Sequence, residues 1–146
     1  MFNPTRDQVR QFFCATWEKH QKNQPLEGAE IAAGELCIRH PEYHSLLSSP
    51  EKALTGEWHP EHGVMNPFLH LSLHLAISEQ ISIDQPPGIR GLFGALQTQI
   101  PLHDAEHVLL ECLGETIWEA QHNGKQMDGT GYLEKVRRRA GKANKG

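Results

Sequence analysis

Apolar residues recur along this chain at the three-to-four-residue spacing of helices, and no stretch of useful length alternates with the two-residue period of a strand. The most apolar stretch, Asn66-Pro-Phe-Leu-His-Leu-Ser-Leu-His-Leu-Ala-Ile-Ser-Glu79, predicts a helix over about 67–83. Asn66 suits the N-cap. Pro67 suits the first helical position, where its missing N–H is not needed. Phe68, Leu69, Leu71, Leu73 and Leu75 surround the cylinder, and only Ser72, Ser78, Glu79 and Ser82 suit water. This is the pattern of a central core helix. His70 and His74 sit one turn apart on it, within about 60° of Ile77 and Ile81. Imidazoles there need partners, because an unpaired buried polar group costs on the order of 1–3 kcal/mol.

The same periodicity predicts the other elements. Residues 4–22 suit an amphipathic helix with a Thr5/Gln8 capping box and an inward series of Val9, Phe12, Phe13, Thr16, Trp17 and His20. A second helix runs over about 27–40, with Ile31, Ala32, Leu36 and Ile38 inward. Pro41 ends it at His40, and a short helical turn follows with Tyr43, His44, Leu46 and Leu47. Pro50, Gly56, Pro60 and Gly63 mark residues 48–64 as a long loop that carries Trp58, His59 and His62. Asp84-Gln-Pro-Pro-Gly88 stops the central helix. A short helix over 89–97 follows, with Gly91 and Gly94 permitting close packing. The longest helix, about 102–123, is closed by Gly124 and turns His103, His107, Leu110, Gly114, Ile117, Trp118 and Gln121 inward. The end supplies a helical turn or two and then a basic tail, 137–146. The fold class is all-α: one domain over 1–146, with its core at about 4–136, built as a compact bundle of four to five helices with a long loop before the central one.

Composition narrows the function. The 146 residues carry a net charge of −4 with histidine neutral, which argues against nucleic acid as partner, including through Lys135, Arg137, Arg138 and Arg139. No apolar run is long enough for a membrane span and no signal-peptide pattern opens the chain, so a cytoplasmic protein is expected. Cys14, Cys37 and Cys112 show no C-x-x-C spacing and fit reduced core thiols. No phosphate-binding glycine loop or nucleophile motif is present.

The ten histidines are the excess, and six of them form His-x-x-x-His pairs: His40/His44, His70/His74 and His103/His107. Four residues apart on a helix, two imidazoles share a face at about 5–6 Å and can reach one ion. Glu111 extends the last pair by a turn, as a ligand, as an orienter of His107 or as a general base; Glu106 and Glu79 are weaker bases. Glu79, opposite the histidine stripe, is expected to cap another helix or to pair with Arg90. If the two most apolar helices are antiparallel neighbours, His70, His74, His103 and His107 converge, with Glu111 beside them. Pro41 interrupts the helix and leaves His40 as a helix end-cap, so His40 and His44 rank second as ligands; His59 and His62 fit loop polarity, and His20 and His122 fit the surface. The ion is a divalent transition metal, Zn, Fe, Ni or Mn.

These residues also carry a resemblance. His40-Pro-Glu-Tyr-His44, Asn66-Pro-Phe-Leu-His70, Leu73-His74-Leu-Ala-Ile-Ser-Glu-Gln80, Pro87-Gly-Ile-Arg90, and His103-Asp-Ala-Glu-His107 through Glu115 to Trp118-Glu-Ala-Gln121 resemble an uncharacterised bacterial family, domain of unknown function 1841, over about 4–136. The resemblance implies a small cytoplasmic bacterial protein and no particular activity. The histidine pairs are also similar to those of haemerythrin-like and DinB-like metal bundles. The haemerythrin ligand order is absent, which counts against oxygen binding.

The expected function is therefore a metal-binding helical bundle with hydrolytic or redox chemistry. The alternative is a non-catalytic interaction or regulatory protein whose histidines are hydrogen-bond groups of the core or of a homodimer face.

Overall fold

The structure, a computed structural model, describes residues 5–58 and 66–145, with side chains to residue 141. The fold is all-α, as the periodicity predicts: eight α-helices and one 3-10 turn, with no strand among the described residues. No helix is long and apolar enough to cross a membrane among those residues. The chain divides into two compact units, residues 1–75 and 76–146.

In the first unit, α1 (Arg6–Gln21) starts at the expected capping box: Thr5 Oγ1 accepts from the Gln8 N–H, and Gln8 Oε1 accepts from the Thr5 N–H. It packs against α2 (Ala29–Arg39), α3 (His44–Leu47) and α4 (Pro50–Thr55). Phe13, Cys14, Trp17, Ala33, Leu36, Cys37, Leu47 and Ala53 form the core with Phe68 and Leu71, from the start of α5 (Pro67–Ile83). Asn66 caps α5, its Oδ1 accepting from the Phe68 N–H at 2.9 Å.

Two expectations for this unit are corrected. Ile31 and Ile38 are exposed, and α2 instead buries Ala33, Gly34, Leu36 and Cys37. Gly34 explains the rotation: a Cβ there would stand 2.6 Å from Leu26 Cδ1, so the glycine face is where the chain comes closest. Residues 48–64 are not all loop, because Pro50 and Glu51 begin α4 as good first-turn residues. His59 and His62 lie outside the described residues.

Arg10, which the sequence pattern does not single out, is only 2 % exposed. Its Nη1 donates to the carbonyls of Ala53 at 2.9 Å and Gly56 at 2.8 Å, and more weakly to Leu54. The guanidinium also lies 5.1 Å from the Trp58 ring and 5.4 Å from that of Phe68. A cation here takes up the orphan carbonyls at the end of α4 and complements that helix terminus.

The second unit contains α6 (Ile89–Gln97), α7 (Leu102–Asn123) and α8 (Gly129–Lys145), which pack on one another. The link from α5 turns at Asp84 (φ 53°) and Gly88 (φ 103°). Asp84 Oδ1 accepts from the backbone N–H groups of Gly88 and Arg90. Arg90 does not pair with Glu79: its guanidinium donates to the Ile81 and Ser82 carbonyls, closing α5. Gly91 and Gly94 face open space rather than a close neighbour.

The expected tail is instead α8, a 17-residue helix with Tyr132, Leu133 and Val136 buried. Tyr132 donates its hydroxyl to Gln80 at 2.8 Å. Its neighbour α7 buries Leu110, as expected, but otherwise a face rotated from the expected one: Ala105, Leu109, Cys112, Leu113 and Thr116, with His103 and Gln121 exposed and Trp118 60 % exposed. This helix is apolar on two sides, and the packing of α6 and α8 selects between them.

A candidate three-histidine metal centre

His40 ends α2 because Pro41 cannot continue it. At that end the His40 N–H bonds the Cys37 carbonyl, which leaves the Leu36 carbonyl without its helical donor. The His40 ring takes it: Nδ1 lies 2.7 Å from Leu36 O. A carbonyl only accepts, so Nδ1 carries the proton and, in the neutral ring, Nε2 carries the lone pair. This is the tautomer of a histidine prepared to ligate through Nε2, with a backbone carbonyl holding its back.

His70 and His74 come from successive turns of α5. Their Nε2 atoms lie 3.2 Å apart. Two imidazoles on one tetrahedral zinc, at about 2.0–2.1 Å each, have nitrogens about 3.3 Å apart. The three ring centroids form a nearly equilateral triangle, 5.1 Å from His40 to each of the others and 4.7 Å between His70 and His74. Rings radiating from such an ion place their centroids about 5 Å apart. One ligand atom from each residue falls in a set lying mutually within 4.8 Å, and among the described residues this is the one group of three such side chains.

Burial is uneven. His40 and His74 are 4 % and 1 % exposed, and His70 is half-buried. Tyr43 stands beside the cluster, parallel to His40 at 5.5 Å and edge-on to His70 at 6.1 Å. Burial, then the nearby Glu42, push its phenol above the ordinary range.

The other sequence candidates have these neighbours within their own units. His44 stacks on Trp17 at 4.1 Å, and its Nε2 donates to the Cys37 carbonyl at 2.7 Å, so that nitrogen is committed to the backbone. Trp17 also meets His20, and its Nε1 donates to Ser48. In the second unit His103 and His107 meet ring on ring at 4.2 Å. Glu111 is exposed and receives Arg139 Nη1 at 2.8 Å. His122 stacks on Trp118. The basic run on α8 is engaged by carboxylates: Lys135 with Glu119, Arg137 and Arg138 with Glu134, Arg139 with Glu111. The end-cap role that Pro41 predicts for His40 is borne out by its bond to the Leu36 carbonyl.

An all-α protein with a largely buried histidine triad among its described residues is what fold and site define. The chain matches a domain of unknown function, DUF1841, over residues 5–138, and it belongs to that family. No curated protein and no solved structure matches it.

Proposed function

We propose that this is a metal-binding protein whose ion is held by His40, His70 and His74. The observation that supports it is the 3.2 Å approach of the His70 and His74 Nε2 atoms, with the His40 ring completing the triangle. Without an ion, two neutral rings meeting through Nε2 need a proton on one of them; an ion takes that proton's place. Three neutral nitrogens suit zinc, iron(II) or nickel(II). Manganese, which prefers oxygen donors, fits this donor set less well. Relative to the expectation from sequence, His40 moves from reserve to ligand and His44 becomes a support of the α2 end. Elemental analysis of protein purified without a histidine tag tests the proposal. About one ion per chain is expected, lost in His40→Ala and His74→Ala and kept in His20→Ala, whose ring is exposed and stacks on Trp17. Wild-type protein that binds no divalent ion, or variants that keep it, would overturn the assignment.

A further inference from the structure

We infer that Arg10, Trp58 and Phe68 form a clamp that sets the rotation of α5 about its axis and thereby positions His70 and His74 for the ion. The inference rests on the metal reading above. At 3.6 residues per turn, Phe68, Leu71 and Leu75 share one side of α5, while His70 and His74 share another, roughly 110° away. The first side is the anchored one. Phe68 and Leu71 are part of the core with Phe13, and Leu75 packs against it. The Phe68 ring lies 6.5 Å from that of Phe13 and meets Trp58 edge-on at 6.0 Å. The Arg10 guanidinium lies 5.1 Å from the Trp58 ring and 5.4 Å from that of Phe68, and its bonds to the Ala53 and Gly56 carbonyls hold it to the end of α4. A buried cation against two aromatic rings is a strong fastening. Leverage makes it matter. At a helix's outer radius of about 5–6 Å, a turn of about 20° carries an imidazole about 2 Å, whereas ligand distances in a metal site hold to about 0.2 Å. Gly56 shows how closely Trp58 is seated. A Cβ there would stand 2.5 Å from Trp58 Cη2, and 3.0 Å from both Trp58 Cζ3 and the Lys52 carbonyl oxygen. The Gly56 backbone, at φ −62° and ψ 144°, suits any residue, so it is this close approach that calls for glycine.

Full-length protein stripped of metal tests the clamp. Zinc affinity is read by competition against a chromophoric chelator, with each variant checked for folding by circular dichroism. Cobalt(II) loading adds visible bands that report ligand geometry, which lost stability alone does not move. Trp58→Leu should weaken zinc binding roughly 10-fold and shift the cobalt bands, and Trp58→Phe should recover most of the affinity. Gly56→Ala keeps every ring but pushes Trp58 from its seat, so it should act as Trp58→Leu does. Added to Trp58→Leu it should cost little more, because the two act on one contact. Thr5→Ala removes the α1 cap at a residue outside this cluster, and should leave affinity and bands unchanged. Wild-type affinity and bands in both Trp58→Leu and Gly56→Ala, or an equal loss in Thr5→Ala, would overturn the clamp while the metal reading stands. Wild-type protein that takes up neither zinc nor cobalt would remove both.

Discussion

The ring of His40 caps the carbonyl of Leu36, the residue one turn before it, because Pro41 has stopped the helix that would otherwise supply the donor. In the proposed metal site, this helix end is the mount for a ligand. Pro41→Ala should let α2 run on, return that carbonyl to a backbone N–H, and release the ring. Metal affinity should fall by roughly 10–100-fold, the usual cost of losing an orienting partner. Competition against a chromophoric chelator measures it. Unchanged affinity would show that the cap does not orient the ligand.

The same bond makes a spectroscopic prediction. In metal-free protein near neutral pH, His40 should be the Nδ1–H tautomer. Long-range proton–nitrogen correlation spectra should place an acceptor-type nitrogen at Nε2. The opposite assignment would contradict the geometry.

Binding should stabilise the fold. At a free zinc concentration of about 100 times Kd, linkage adds about 2.7 kcal/mol, a rise of several degrees in Tm for a chain of this size. His74→Ala should lose that rise, and His20→Ala should keep it. Differential scanning calorimetry with zinc and with a chelator distinguishes the outcomes.

Arg10 should matter more than its place near the start of α1 suggests. Arg10→Met keeps the apolar stem and removes the bonds to Ala53 and Gly56. The expected loss is on the order of 3 kcal/mol, from charged hydrogen bonds removed and buried carbonyls left without donors. Urea unfolding gives the number, and a loss below about 0.5 kcal/mol, the usual range for surface substitutions, would sink the argument.

Burial pushes the Cys37 thiol from its ordinary 9.0 to about 12, with nearby Cys14 adding to the effect. The folded state therefore holds this proton more tightly than the unfolded chain. The stability it contributes is whole below pH 9.0 and drains away as pH rises towards about 12. Cys14 and Cys112 are raised in the same direction by burial. All three should resist iodoacetamide at about pH 8 until denaturant is added, since the thiolate is the reactive form. Rapid labelling of native protein would contradict this.

Where local chemistry decides, the chain could be read directly. The capping box of α1, the Asn66-Pro67 start of α5, the bounds of α6 and the Gly124 close of α7 all follow from residue type and spacing. Which face turns inward is a property of neighbours, and there the pattern misleads. The histidine side of α7 carries Leu110, Ile117 and Trp118, enough to suggest burial, and the packing of α6 and α8, the latter hidden behind Gly129, Gly131 and a run of arginines, decides which side is covered. Of the proposed site, His70 and His74 are legible by their spacing and the His40 cap by Pro41; that the capped ring meets the α5 pair is a tertiary fact that spacing does not carry.

The Arg10 anchor has no acid-sensitive acceptor. Pairs such as Lys19–Glu30 depend on a carboxylate held below the usual range by the lysine, so their contribution fades as pH falls through that depressed value. The carbonyls of Ala53 and Gly56 do not titrate, and a guanidinium stays charged throughout. As acid loosens the surface pairs, the corner joining α1 to α4 should be among the last parts of the first unit to let go.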